Sequence, residues 1–192
     1  MRTASIKRTT KETDITLTLN LDGSGNSTID SGVGFLDHML TAFAFHSSID
    51  LTITCRGDLY IDDHHSVEDI GLVLGQALIK ALGTKQGINR YGHSYVPMDE
   101  TLARAVIDFS GRPAFVYLVN LKRETLGSLA TENVKEFFKS VAAEAKMNLH
   151  LETLYGENDH HQVEALFKAF GRAVKEGAAI TSDRLPSTKG AL

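Results

Sequence analysis

The sequence predicts an α+β fold built from two copies of one unit, each with a mixed or antiparallel sheet and two helices on one face. The segment D-H-H-S-V-E at Asp63–Glu68 recurs as D-H-H-Q-V-E at Asp159–Glu164, half a chain length later. A repeat at this spacing that keeps four His and two Glu indicates an internal duplication. Runs of strands with helices on one side are typical of α+β units, and we expect the two helix layers to pack together.

Strands and helices alternate in the first half of the chain. Apolar and polar residues alternate over Asp14–Leu21 and over Ile49–Cys55, which predicts two half-buried strands. Apolar residues recur at helical spacing over Phe35–His46 and over Val67–Ala81, and the second stripe ends at Gly83. Glycine commonly follows the end of a helix, so two helices are expected here.

The second half repeats this scheme after a glycine-bounded break. We expect strands over Leu102–Asp108, Ala114–Asn120 and Asn148–Thr153, and helices over Glu132–Ala145 and His160–Ala179. The first unit is therefore predicted to span residues 1–86 and the second 87–180. Residues 181–192 form a predicted irregular tail on what we expect to be one compact subunit.

Composition and charge exclude several classes of protein. Hydrophobic residues make up 42% and charged residues 23% of the chain, as in an ordinary globular protein. The formal net charge of -4 offers no general attraction to nucleic acid or an anionic membrane, so neither is expected as a partner. The single Cys55 has no internal disulfide partner, and Met1–Asp14 has no apolar run typical of a signal peptide. A cytoplasmic protein is expected, and nothing in the sequence argues for a fused domain.

The two His pairs have the residue types and spacing of metal ligands. A preceding Asp is a favoured helix cap, so each pair is predicted in a first helical turn. His64 then lies one turn from Glu68, while His65 points about 100° away around the helix. Because adjacent imidazoles diverge, we expect two units to share two ions such as Mn, Fe, Co or Zn. Solvent-exposed caps are the alternative, and Asp63 and Asp159 are alternatively hydrogen-bond partners of ligands.

Other residues leave their roles open. His38 fits a ligand or a core histidine equally well, and His46 taken alone fits a structural or exposed position. Asp99 follows a strand and offers an acid at a site edge or an ordinary solvated turn, and Glu12 is similarly ambiguous.

Scattered cations have a similar ambiguity. Arg90 lies in a glycine-bounded segment, Arg112 at a predicted turn, and Ser187 and Lys189 in the tail. Such groups suit a phosphate monoester, and unrelated surface cations are the alternative.

Five segments in order carry a family resemblance. They are G-V-G-F-L-D-H-M-L (Gly32–Leu40), D-D-H-H-S-V-E-D-I-G (Asp62–Gly71), Y-V-P-M-D-E-T-L-A-R (Tyr95–Arg104), N-D-H-H-Q-V-E-A-L-F-K-A-F (Asn158–Phe170) and P-S-T-K-G-A-L (Pro186–Leu192). Together they span essentially the whole chain and closely resemble the imidazoleglycerol-phosphate dehydratase family of histidine biosynthesis. The resemblance implies a hydro-lyase that converts imidazole glycerol phosphate to imidazole acetol phosphate. It also implies two Mn²⁺ ions per active site and a shell of twenty-four identical chains, with active sites between subunits.

The resemblance also implies roles for individual residues. The implied metal ligands are His38, His64, His65, Glu68, His160, His161 and Glu164. Many family members carry His at the position of Glu136, so this carboxylate is either a replacement ligand or marks an ion with one ligand fewer. Implied substrate contacts are Glu12, His46, Arg90, Arg112, Lys168, Ser187 and Lys189. The candidates for proton transfer are Glu164, Glu68, Glu12, Asp99 and His46, among which the sequence does not choose.

Two other function classes stay open. A non-catalytic metal-binding shell would use the His pairs to join subunits or store ions. A metal-dependent hydrolase would release phosphate from its substrate, which a dehydratase does not. A cationic pocket beside the metals would favour an enzyme over a storage shell.

Overall fold

Two four-stranded sheets have the same strand order, and two layers of helices pack together between them. The computed structural model describes residues 2–190. The first unit comprises β1 (Thr3–Thr9), β2 (Thr13–Asn20), β3 (Ser27–Asp30), α1 (Gly34–Ser47), β4 (Asp50–Gly57) and α2 (His64–Leu82). Its sheet has the order β1-β2-β4-β3, in which only β3 and β4 run parallel.

The second unit repeats this topology. It comprises β5 (Tyr91–Met98), β6 (Thr101–Asp108), β7 (Ala114–Leu118), a hairpin of β8 (Thr125–Leu126) and β9 (Leu129–Ala130), α3 (Thr131–Glu144), β10 (Asn148–Tyr155) and α4 (Asp159–Ala178). The sheet order is β5-β6-β10-β7, and β7 and β10 are its parallel pair. The predicted α+β class with a duplicated unit and mixed sheets is confirmed. The β8–β9 hairpin has no counterpart among the named strands of the first unit, and no apolar pattern predicted it.

The helices of one unit pack against those of the other. α1 packs on α4, and α2 packs on α3, as the expected contact of two helix layers requires. Gly75 and Gly171, which the duplication aligns, allow these close approaches. A Cβ atom at Gly75 would lie 2.7 Å from the carbonyl oxygen of Val141, and one at Gly171 would lie 2.8 Å from that of Phe43. Any larger residue at either glycine would push two helix backbones apart.

Aromatic side chains fill the space between the helix layers. Phe43 of α1 stacks on Phe170 of α4 with ring centroids 5.2 Å apart, and Phe138 of α3 lies 4.6 Å from Phe167. All four rings are at most 1% exposed. Burying one such side chain contributes about 1.5–3 kcal/mol, so this cluster fixes how the two units meet. Within the described residues, no helix has the length and apolar character needed to cross a membrane.

Candidate active site

The His pairs begin the two long helices, as predicted, but their capping residues differ from the prediction. The side chain of Asp62 accepts a hydrogen bond from the backbone N–H of His64 at 2.8 Å, and Asn158 does the same for His160 at 2.9 Å. The buried Asp63 and Asp159, which the sequence placed as caps, instead accept hydrogen bonds from the segment that precedes α3. In both pairs the side chain that accepts from the first His lies one residue earlier than the predicted cap.

Three predicted metal ligands from the two units meet at the start of α4. His38 of α1 and His160 and Glu164 of α4 each offer one ligand atom, and these atoms all lie within 4.8 Å of one another. Glu164 Oε2 is 3.0 Å from His160 Nε2 and 3.4 Å from His38 Nε2. Two imidazoles and a carboxylate suit a divalent ion such as Mn²⁺ or Zn²⁺, so the residues present fit the metal that the sequence predicts.

A lysine neutralises the carboxylate of this group. Lys168 Nζ lies 2.7 Å from Glu164 Oε1, one turn further along α4. Burial raises the pKa of Glu164, but the hydrogen bond and charge of Lys168, with contributions from His160 and His38, outweigh burial and lower that pKa overall. Glu164 is therefore held as a carboxylate with one oxygen on Lys168 and the other directed at the two imidazoles.

The corresponding group on α2 is more open. His64 Nε2 lies 3.9 Å from Glu68 Oε2. Glu136 of α3 lines a cavity of about 490 Å³ together with His64, and its carboxylate pairs with Lys139 at 2.9 Å. Among residues 2–190, the group of His38, His160 and Glu164 is the one set of three such donors that closes on a common point. Ligation by Glu136 stays a prediction.

The second His of the first pair lies between two acids. His65 Nδ1 is 3.0 Å from Asp58 Oδ2, and its Nε2 is 3.7 Å from Glu12 Oε1. The hydrogen bond to Asp58 raises the pKa of His65. A carboxylate on Nδ1 is the usual partner of an imidazole that binds metal through Nε2. Asp58 was missed by sequence reasoning, because it carries no motif beyond its place just after β4.

The second His of the other pair repeats this arrangement. His161 Nδ1 is 2.8 Å from Glu100 Oε2, and its Nε2 is 3.8 Å from Asp99 Oδ2. The backbone N–H of Asn158 and the hydrogen bond with His161 hold the pKa of Glu100 well below its usual range. Sequence reasoning singled out Asp99 but missed its neighbour. The two arrangements place an acid from the β1–β2 turn, or from the β5–β6 turn, next to each second His.

His46, another predicted contact, lies on the last turn of α1. Burial lowers its pKa, and the positive charges of Lys168 and Arg172 lower it further. The charges of Lys168 and Glu164 thus both act on the pKa of His46. Arg172 was not predicted.

The four residues predicted to bind phosphate line one cavity of about 420 Å³. They are Arg90, Arg112, Ser187 and Lys189. Arg90 donates to both carboxylate oxygens of Asp108, at 2.6 and 3.1 Å, and to the carbonyl oxygen of Pro186 at 2.9 Å. Arg90 therefore connects the tail to the second sheet. Arg112 and Lys189 are the cations of this cavity that are more available to a phosphate. The last two residues of the tail motif, Ala191 and Leu192, lie outside the described residues.

This cavity lies at the opposite end of α4 from the three metal ligands. The backbone N–H of Arg90 donates to the carbonyl oxygen of Gly177 at 2.8 Å, near the last residues of α4. His160 lies in its first turn. At about 1.5 Å per helical residue, the two sites are separated by about 25 Å. One chain does not place its own phosphate pocket beside its own group of His38, His160 and Glu164.

Comparisons with known proteins identify the family. The imidazoleglycerol-phosphate dehydratase family model matches residues 31–174. The chain is 58% identical to the imidazoleglycerol-phosphate dehydratase of an Exiguobacterium species, over 99% of this chain and 98% of that protein. Identity to the same enzyme of Clostridioides difficile is 51%, over all of both chains.

Solved structures resemble the fold closely. The crystal structure of imidazoleglycerol-phosphate dehydratase from Staphylococcus aureus has a TM-score of 0.84 and 43% identity, covering 94% of this chain and 99% of that one. The enzyme from Pyrococcus furiosus has the same TM-score at 37% identity, covering 97% of this chain and all of that one. The family resemblance predicted from five sequence motifs is thereby confirmed, and the chain belongs to the imidazoleglycerol-phosphate dehydratase family.

Proposed function

We propose that this chain is a hydro-lyase that converts imidazole glycerol phosphate to imidazole acetol phosphate, in histidine biosynthesis, with two Mn²⁺ ions per active site. The observation that carries the proposal is the meeting of His38, His160 and Glu164 within 4.8 Å of one another, from two different units of the duplicated fold. Membership in the family supplies the reaction, and this donor set supports its dependence on a divalent metal.

The reaction removes the hydroxyl from the carbon that carries the imidazole ring and a proton from the next carbon, and the resulting enol tautomerises to a ketone on that next carbon. A divalent ion on the imidazole nitrogen would favour the deprotonated ring, whose electrons can assist departure of the hydroxyl from the adjoining carbon. His38, His160 and Glu164 would hold one ion, and His64, Glu68 and Glu136 would hold the second. His65 and His161 would complete the ligands, since each presents Nδ1 to an acid and leaves Nε2 available.

We assign proton transfer to Glu12 and Asp99. Glu164 is engaged by Lys168 and two imidazoles, which suits a ligand better than a mobile acid. Glu12 and Asp99 have side chains 52% and 80% exposed, and each approaches the Nε2 atom of a second His. Exposed carboxylates beside metal-binding imidazoles are well placed to remove one proton and to protonate the leaving hydroxyl.

The separation of the two sites supports an assembled enzyme. In one chain the phosphate pocket and the group of His38, His160 and Glu164 are about 25 Å apart along α4, farther than a three-carbon chain between imidazole and phosphate reaches. We therefore propose that pocket and ligands of different chains meet in a shell of twenty-four copies. The single buried Cys55, which has no partner for a disulfide, fits a cytoplasmic location.

The first test measures activity on imidazole glycerol phosphate in metal-free protein, before and after addition of Mn²⁺. We expect ketone product only with metal and no release of inorganic phosphate. Phosphate release would indicate the hydrolase instead. A protein that binds Mn²⁺ and stays assembled without consuming substrate would support the non-catalytic shell.

A further inference from the structure

Two buried side chains connect the start of α2 to the start of α3. Asn133 Nδ2 donates to Asp63 Oδ1 at 3.0 Å, and Asn133 Oδ1 lies 2.9 Å from Nδ1 of His64. The other oxygen of Asp63 accepts from the backbone N–H of Ala130 at 2.9 Å. Asp63 is 8% exposed and Asn133 is 3% exposed, so water does not compete freely for these bonds.

The order of donors and acceptors along this series of hydrogen bonds determines which nitrogen of His64 carries a proton. A carboxylate only accepts hydrogen bonds, so the amide NH₂ of Asn133 must face Asp63. Its carbonyl oxygen then faces His64 Nδ1 and requires a proton on that atom. Neutral His64 therefore has its free electron pair on Nε2, the atom that faces Glu68.

At the other His pair, a phenylalanine takes the position of Asn133. Phe35 occupies the place of Asn133, three residues before His38, as Asn133 is three residues before Glu136. The ring of Phe35 meets the ring of His160 edge-on, with centroids 5.0 Å apart, and offers no hydrogen-bond acceptor.

Asp159 is the counterpart of Asp63, but it is not linked to a histidine ring. It accepts from the backbone N–H groups of Lys122 and Arg123 and from the side chain of Gln162. The relay through an amide thus belongs to the first His pair alone within the described residues.

We propose that Asp63 and Asn133 are positioning residues that fix His64 in the tautomer with its proton on Nδ1, and so make Nε2 a metal ligand. The inference rests on the proposed function for the identity of the ion. It adds a difference between the two ion sites, since only the site at His64 depends on hydrogen bonds through an amide.

Replacement of Asp63 by Asn tests this directly, because it keeps the shape and changes one acceptor into a donor. The new amide would face the NH₂ of Asn133, which must turn over and present its NH₂ to His64 Nδ1. The proton of His64 then moves to Nε2. We expect calorimetric titration with Mn²⁺ to show one of two ions per chain weakened about 10- to 100-fold in D63N.

The double variant D63N/N133D is the decisive rescue. Asn at position 63 would accept from the Ala130 N–H and donate to Asp at position 133, whose second oxygen again accepts from His64 Nδ1. Every hydrogen bond is then restored with the charge moved, so we expect the affinity for the second ion to return toward the wild-type value. Asp159→Asn is the matched control, and its two ions should bind as in the wild type.

A second readout needs neither metal nor activity. Solid-state nitrogen NMR of histidine-labelled, metal-free protein should show His64, assigned by its absence in His64→Gln, protonated at Nδ1 in the wild type and at Nε2 in D63N. An unchanged tautomer, or D63N that binds both ions as tightly as wild type, would overturn the inference. Wild-type protein that binds no Mn²⁺ would instead overturn the proposed function, while the NMR result still decides the tautomer.

Discussion

Lys168 and Glu164 lie one turn apart on α4, and their side chains pair at 2.7 Å. The pair leaves Glu164 Oε2 directed at His160 and His38, which lie 3.0 and 3.4 Å away. A cation at the back of a ligating carboxylate restricts its rotation and keeps it ionised. The lysine thus orients the acid that joins the two units of the fold.

Lys168→Met is expected to lower kcat/KM about 10- to 100-fold, the usual effect of removing a partner that orients a metal ligand. Steady-state kinetics at saturating Mn²⁺ will measure it. Lys168→Arg keeps the charge and should retain more activity than Lys168→Met. Equal losses in the two variants would contradict an orienting role for the charge.

His38→Ala should remove one of two bound ions. His38 supplies one of three donors to the closed group, while the ligands around His64 do not include it. Metal analysis of dialysed protein is expected to fall from two Mn²⁺ per chain toward one. His150→Ala, an exposed position on β10, is the matched control and should keep both ions.

Mixed assemblies should reveal sites shared between chains. His160→Ala removes a metal ligand and should be nearly inactive, and Lys189→Ala removes a phosphate contact and should have low activity at substrate concentrations well below its raised KM. If pocket and ligands come from different chains, some sites in a co-assembled mixture contain neither change. We expect activity to appear after dissociation and joint reassembly, whereas a mixture that stays as inactive as its parts would indicate a site within one chain.

The tail cation should act on substrate binding rather than on metal. Lys189→Ala removes one charge from the cavity that also contains Arg112, and a hydrogen bond to a charged group contributes about 1.5–3 kcal/mol. KM for imidazole glycerol phosphate should rise about 10-fold or more, with the content of Mn²⁺ unchanged. A normal KM would remove the tail from the phosphate site.

His46 should make stability depend on pH. Burial, with the charges of Lys168 and Arg172, lowers its pKa in the folded protein, so the unfolded chain binds that proton more readily. The folded protein has its full stability above the unfolded pKa of about 6.5, and it loses stability as pH falls through the lower pKa that His46 has when folded. The thermal midpoint of His46→Asn should therefore drop less between pH 7 and pH 5 than that of the wild type. An identical drop would show that His46 does not contribute.

The sequence by itself determined the duplicated α+β fold and the family. Alternating apolar residues and the two D-H-H-x-V-E segments are local signals, because strand and helix periods and helix-start motifs are written in neighbouring residues. They placed four predicted helices and most central strands. The short β3 and the β8–β9 hairpin were not predicted, since so few residues carry no readable period. The edge strands β1 and β5 were not predicted either, and the buried positions of β5 include Gly92 and Ser94, which give no apolar alternation.

The tertiary structure decided which of these residues meet. His38 is far from Glu164 in the sequence and reaches it because α1 packs on α4, a contact set by buried rings of both units. Glu100 and Asn133 reach histidines only through folding: Asn133 lies in none of the five motifs, and the motif that contains Glu100 does not indicate its contact with His161. Ligand geometry depends on contacts between residues distant in the chain, and local residue patterns do not encode those distances.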